Sequence, residues 1–263
     1  MNDLPTITAG TVRVAIDPGA GGRIAQIVVD GTPLLVDRDE VDGNPLAWGA
    51  YPMVPWAGRI RGGRFEFRGV EYRLPCNHDG HAMHGVGFVS AWTVAGRTPT
   101  RLELRLDLPS DVRWPFGGDV TQVFEVDERG LTCTMTVHAH DRAFPTSFGW
   151  HPWFRKPSRF DFEPTAMYRR DEYHIAVDDL VDVPPGPWDD CFVNTAPIGL
   201  EIDGVALTLT SPCTHWVVYD QPRHATCVEP QTGPPDAFTI RPEVVEPGAP
   251  MVAEFRLEVA PTQ

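Results

Sequence analysis

Apolar and polar residues alternate along most of this chain in short runs, and the period is two. In LTCTMTVHAH (131–140), Leu131, Cys133, Met135 and Val137 fall on one face, with threonines and histidines on the other. VTQVFEV lies before that run and DERG (127–130) turns between them, so the two segments read as a hairpin. RLELRLDL (101–108), GVALTLTS (204–211) and VAEFRLEV (252–259) repeat the alternation. No stretch of about 12 residues carries apolar positions at helical spacing. The pattern predicts an all-β protein, a large antiparallel β-sandwich.

Proline and glycine punctuate the whole length instead of gathering in one linker, with 27 and 24 copies. No repeat or compositional shift marks a boundary, so the expectation is one domain over 1–263. VDDLVDVPPGPWDDCF (177–192) is the longest stretch without a regular pattern. Its prolines and aspartates predict a long surface loop, of the kind that carries function or moves.

Charge narrows the partners. A net charge of −14 argues against nucleic acid and anionic membranes, which need clustered Lys and Arg. No apolar run approaches the roughly 20 residues of a membrane span. MNDLPTITAG has neither a basic nor an apolar signal segment, so a cytoplasmic protein is expected. The five scattered cysteines form no CxxC pair, which points to a reducing compartment.

Four segments could carry chemistry. Arg59 sits in YPMVPWAGRIRGGRFEFRG (51–69), just before an alternating strand; it reads as a surface arginine or as a forked donor. NHDGHAMHGVGF (77–88) brings His78, His81 and His84 close together, but without a helix this is a poor metal motif. Its glycines imply a tight loop instead. In FPTSFGWHPWFR (144–155), His151 stands between Trp150 and Trp153, as a packed core histidine or as a polar group in a sugar-stacking site. Glu229 stands in VEPQTGPPDA, with Pro230 restricting the backbone beside it. GxSxG, HExxH and a phosphate-cradling glycine loop are all absent. One glutamate and two histidines suit general acid–base chemistry.

In order along residues 45 to 240, PWAGRIRGGRF, HAMHG followed by Trp92, FGWHPWF, WDDCF and VEPQTGPPDA resemble the aldose 1-epimerase (galactose mutarotase-like) family. The resemblance implies a β-sandwich of the galactose mutarotase-like (supersandwich) type, with a sugar cleft on one concave sheet. It implies interconversion of α and β anomers without metal or cofactor. Glu229 then matches the catalytic base, His151 the general acid, and His84 a histidine assisting at the ring oxygen. Arg59 and Asp189 match sugar-binding positions, and Trp153 and Gln231 join them as substrate-binding residues. The partner is a small sugar, with neither nucleic acid nor membrane, and a homodimer is allowed.

Gly58 departs from the family pattern, standing where an asparagine usually precedes the arginine. Three other readings compete with the mutarotase. A hexose-6-phosphate 1-epimerase would need a basic cluster, for which Arg59, Arg61, Arg64 and Arg68 are candidates. A non-catalytic carbohydrate-binding protein would need no acid–base set. A glycoside hydrolase would need two flanking carboxylates, and only Glu229 is clearly placed, with Asp189 or Asp190 as the second.

Overall fold

The computed structural model describes residues 4–260. Among them the predicted alternation becomes two large antiparallel sheets, of 11 and 8 strands. Asp119–Asp127 and Gly130–His138 form the expected hairpin, in register from Asp119 opposite His138 to Asp127 opposite Gly130. The strands Arg101–Asp107, Met251–Val259 and Val205–Thr210 join the same 8-stranded sheet. The only α-helix among the described residues is the single turn Ala237–Ile240. None of the helices is long and apolar enough to cross a membrane.

The two sheets face each other, and the alternating residues between them form the main core. Leu131, Cys133, Met135 and Val137 are fully buried there. Burying such a side chain is worth roughly 1.5–3 kcal/mol, so these faces fix the register of the hairpin. Trp150 meets Phe255 across the sheets edge-on, with ring centroids 5.0 Å apart. Its indole N–H donates to Gln122 Oε1 at 3.2 Å, and the Gln122 amide donates to the Gly22 carbonyl at 3.1 Å.

Near the middle of the 11-stranded sheet, Ala50–Met53, Gly149–Arg155, Ala225–Gln231, His215–Tyr219 and Asp189–Val193 lie side by side. Trp150 and Phe154 turn inward to the main core, while Trp153 joins a second cluster with Tyr51 and Cys227. The sheet thus has a core face and a free face, and the free face carries the site.

The expected long loop at 177–192 is corrected. Ala176–Val181 is the outermost strand of the 11-stranded sheet, and Asp189–Val193 pairs with His215–Tyr219. The prolines Pro184, Pro185 and Pro187 all fall in the connection between them, where no ladder bond is lost. Asp178 and Asp179 lie exposed on the outermost strand, as charges do where an edge must not recruit another strand.

Candidate active site

Glu229 lies on Ala225–Gln231 and is 2% exposed. The ladder sets Gly149 against Gln231 and Trp153 against Cys227. The midpoint of that register is His151 and Glu229. Both residues precede a proline, Pro152 and Pro230, which holds each backbone extended and leaves the ladder open between them. His151 Nε2 stands 3.2 Å from Glu229 Oε1. The Gln231 amide donates to the other carboxylate oxygen at 3.1 Å.

Aromatic rings fix the imidazole. Tyr51, opposite His151 on the neighbouring strand, stacks on it at 4.6 Å, and Trp153 stacks at 5.5 Å. His151 Nδ1 and Gln231 Oε1 are buried and have no hydrogen-bond partner among the described residues.

His84 reaches the same place from a loop. It has φ of +59°, followed by Gly85 at +71°. A side chain on Gly85 would come within 2.0 Å of the Val54 carbonyl oxygen, so the His-Gly pair is a steric requirement. The Gly58 N–H donates to His84 Nδ1 at 3.3 Å, and the His84 N–H donates to the Gly58 carbonyl at 2.9 Å. Nδ1 is therefore the acceptor, and Nε2 carries the proton. The His84 ring is perpendicular to that of His151, with centroids 5.3 Å apart.

Gly58 has φ of +66°, and a side chain there would meet Pro235 Cβ at 2.8 Å. The asparagine expected at this position has no room.

Burial drives His151 and Glu229 toward their neutral forms. It lowers His151 to about 3, with the Arg23 charge acting in the same direction, and raises Glu229 well above the ordinary carboxylate range. Asp189 adds to the rise at Glu229, and the Gln231 and Arg59 side chains oppose it. Burial, with His151 and Arg59 adding to it, also holds His84 well below its ordinary value.

All seven residues singled out from the sequence line one cavity of about 280 Å³: Arg59, His84, His151, Trp153, Asp189, Glu229 and Gln231. They come from four strands and a loop. Asp189 shares the free face with Glu229 through Tyr219 and Cys227, which pair in the ladder. Asp190 also reaches the cavity. Sequence reasoning missed Arg170, which binds both aspartates: its Nη1 is 3.3 Å from Asp189 and its Nε 2.7 Å from Asp190. It also missed Tyr51, Tyr219 and His174 on the cavity wall. Of the three clustered histidines, His78 and His84 line the cavity, while His81 Nδ1 accepts from Gly62 N–H at 3.0 Å.

His151, Cys227 and Glu229 place three potential metal-ligand atoms within 4.8 Å of one another. Burial pushes the Cys227 thiol and the Glu229 carboxyl up, so both favour holding protons and are weak donors to a cation. All five cysteines are free, with Cys76 exposed and the other four buried.

Residues 3–258 match the family model of aldose 1-epimerase. The chain belongs to the aldose 1-epimerase family. Two relatives in Escherichia coli (strain K12) are uncharacterised proteins. YphB is 31% identical over 152 residues, which cover 57% of this chain and 51% of YphB, about half its length. YihR is 24% identical over 254 residues, covering 83% of this chain and 80% of YihR. Two solved structures share the aldose 1-epimerase fold. A galactose mutarotase-like protein from Clostridium acetobutylicum has a TM-score of 0.84 at 16% identity, covering 98% of this chain and 95% of its own. A GalM/aldose epimerase homologue from C. elegans also reaches 0.84, at 15% identity and 99% of both chains. These likenesses extend the β-sandwich assignment to nearly the whole length.

Proposed function

We propose that this protein is a mutarotase acting on a neutral aldose, with Glu229 and His151 as its acid–base pair. The observation that carries this reading is their 3.2 Å contact on the wall of a cavity large enough for a monosaccharide.

Ring opening needs one group to take the proton from the anomeric O1–H and another to give a proton to the ring oxygen O5. In the ionic form of the pair, the Glu229 carboxylate takes the O1 proton and the His151 imidazolium gives its proton to O5. The C1–O5 bond breaks, C1–O1 becomes a carbonyl, and the pair is left as carboxylic acid and neutral imidazole. Burial favours that neutral form and disfavours the ionic form from which opening starts, so the bound sugar has to stabilise the ionic pair. Rotation about C1–C2 presents the other carbonyl face, and reversal of the two transfers closes the opposite anomer. The pair holds one shared proton before and after, so the cycle needs no outside proton. His84, with its proton on Nε2, is a donor to a sugar oxygen, and Trp153 offers a ring face to the C–H side of the sugar.

The cleft's charges favour a neutral substrate over a sugar phosphate. Of the four clustered arginines only Arg59 lines the cavity. Arg61 is engaged by Asp171 and Asp236, Arg68 by Glu246, and Arg64 is exposed on a hairpin strand. Arg170 is held by two aspartates.

Polarimetry on neutral aldoses and their 6-phosphates tests the proposal. Faster equilibration of at least one neutral aldose is expected. Catalysis confined to the phosphorylated sugars would overturn the neutral-substrate reading, and catalysis of none would overturn the mutarotase reading.

A further inference from the structure

The strand Ala166–Arg170 turns at residues 171–175 and returns as Ala176–Val181, at the far end of the 11-stranded sheet from His84. The tip of this hairpin does not stay at that end. Asp171 is ion-paired with Arg61, and the Tyr173 ring packs edge-on against His81 at 6.1 Å. Arg61 and His81 belong to the opposite wall, with Arg59 and His84. Arg61 is anchored there in turn: its backbone N–H donates to Asp236 Oδ1 at 3.1 Å, and its Nε lies 3.6 Å from Asp236 Oδ2.

Within the tip, the Asp171 carboxylate also accepts the Tyr173 N–H at 2.9 Å and the Ile175 N–H at 3.1 Å. One side chain therefore both shapes the turn and fastens it. The result is that His174, at φ of +58°, lines the cavity with Glu229 and His151 although the rest of its surface is exposed. The base-and-acid mechanism does not use this imidazole.

Building on the mutarotase reading, we propose that residues 171–175 form a strap across the mouth of the sugar cleft, latched by Arg61 and Asp171. His174 is its specificity-determining residue, bonding a sugar hydroxyl away from the reacting carbon. Arg61 and Asp171 are positioning residues that act through it. Among the described residues the strap's tip meets the far wall through this polar latch and one aromatic edge, while buried Ile175 anchors its base, so the tip can release to admit the sugar and re-form over it.

Two measurements on the full-length protein test the proposal. In hydrogen–deuterium exchange, Arg61→Met speeds exchange of the Tyr173 and Ile175 amides about tenfold or more, and Arg61→Lys recovers part of the protection. In polarimetry, Arg61→Met raises KM about tenfold with kcat within about twofold. For a panel of deoxyaldoses, wild type loses about tenfold in kcat/KM for one missing hydroxyl, and His174→Ala loses that discrimination alone. Unchanged exchange in Arg61→Met removes the latch. Unchanged discrimination in His174→Ala removes its specificity role. A wild type inactive on every aldose withdraws the role of His174 together with the reading it rests on, while the exchange result still decides the latch.

Discussion

His151 Nε2 and Glu229 Oε1 face each other at 3.2 Å from the centres of two adjacent strands, each residue followed by a proline. Proline is rare inside a central strand because it removes a ladder hydrogen bond. Here Pro152 and Pro230 sit at the two places where the ladder between these strands is open, and the side chains occupy the gap on the free face. If this pair moves the proton, Glu229→Gln keeps the shape and the Gln231 contact region but removes basicity. Turnover should fall by about 10³-fold with sugar affinity within a few-fold, read by polarimetry and calorimetry. Wild-type turnover in this variant would take Glu229 out of the mechanism.

His151→Asn should reduce kcat about 10²-fold and KM little, because the imidazole's proton is used only as the ring opens. A loss confined to KM would make His151 a binding residue.

The two members also leave opposite marks on stability. Glu229 is held above its ordinary 4.5, so the unfolded chain releases this proton first. Its contribution is full below pH 4.5 and is lost as pH rises through the folded value. His151 is lowered from 6.5 to about 3, so its contribution is full above pH 6.5 and is lost as pH falls toward 3. Relative to wild type, Glu229→Gln therefore gains Tm as pH is raised, and His151→Asn gains Tm as pH is lowered. Melts between about pH 4 and pH 8 check both, and differences that do not change with pH would contradict both assignments.

Gly58→Asn introduces the residue that the family resemblance leads one to expect, but it has no space here. With φ of +66° and Pro235 at 2.8 Å, the new side chain must displace the 232–236 turn and the His84 contact. A loss of about 1–3 kcal/mol in denaturant unfolding is expected, with no gain in turnover. A more active or more stable variant would show that the turn yields freely.

Arg23 is 1% exposed, and its guanidinium donates to the carbonyls of Ala20, Trp48 and Phe88 at 2.6, 3.0 and 3.3 Å while lying over the Trp48 ring. Among the described residues no carboxylate pairs with it, and burial lowers it to about 10. It also supports Tyr51, the ring stacked on His151. Arg23→Met leaves the buried Trp48 and Phe88 carbonyls and the part-buried Ala20 carbonyl without this donor and should cost about 3 kcal/mol by chemical denaturation. A neutral effect would mean that those loops hold themselves.

The sequence by itself determined what depends on near neighbours along the chain. Alternation at 101–108, 131–137, 204–211 and 252–259 named strands and their buried faces, because a strand's side chains point to opposite sides by geometry alone. The His-Pro and Glu-Pro steps and the His-Gly pair were equally visible, since each restricts its own backbone. Their resemblance to family motifs marked seven of the residues that line the cavity. Only the tertiary structure decided what stands beside them. The strands at 176–181 and 189–193 were hidden by the prolines between them, and the strand at the sheet's edge is exposed and weakly patterned. Arg170, Tyr51 and His174 carry no local signal, because their roles come from pairing between strands distant in sequence. The 3.2 Å approach of His151 to Glu229 is likewise a product of register between segments nearly 80 residues apart, a quantity that cross-strand packing sets and local propensity does not.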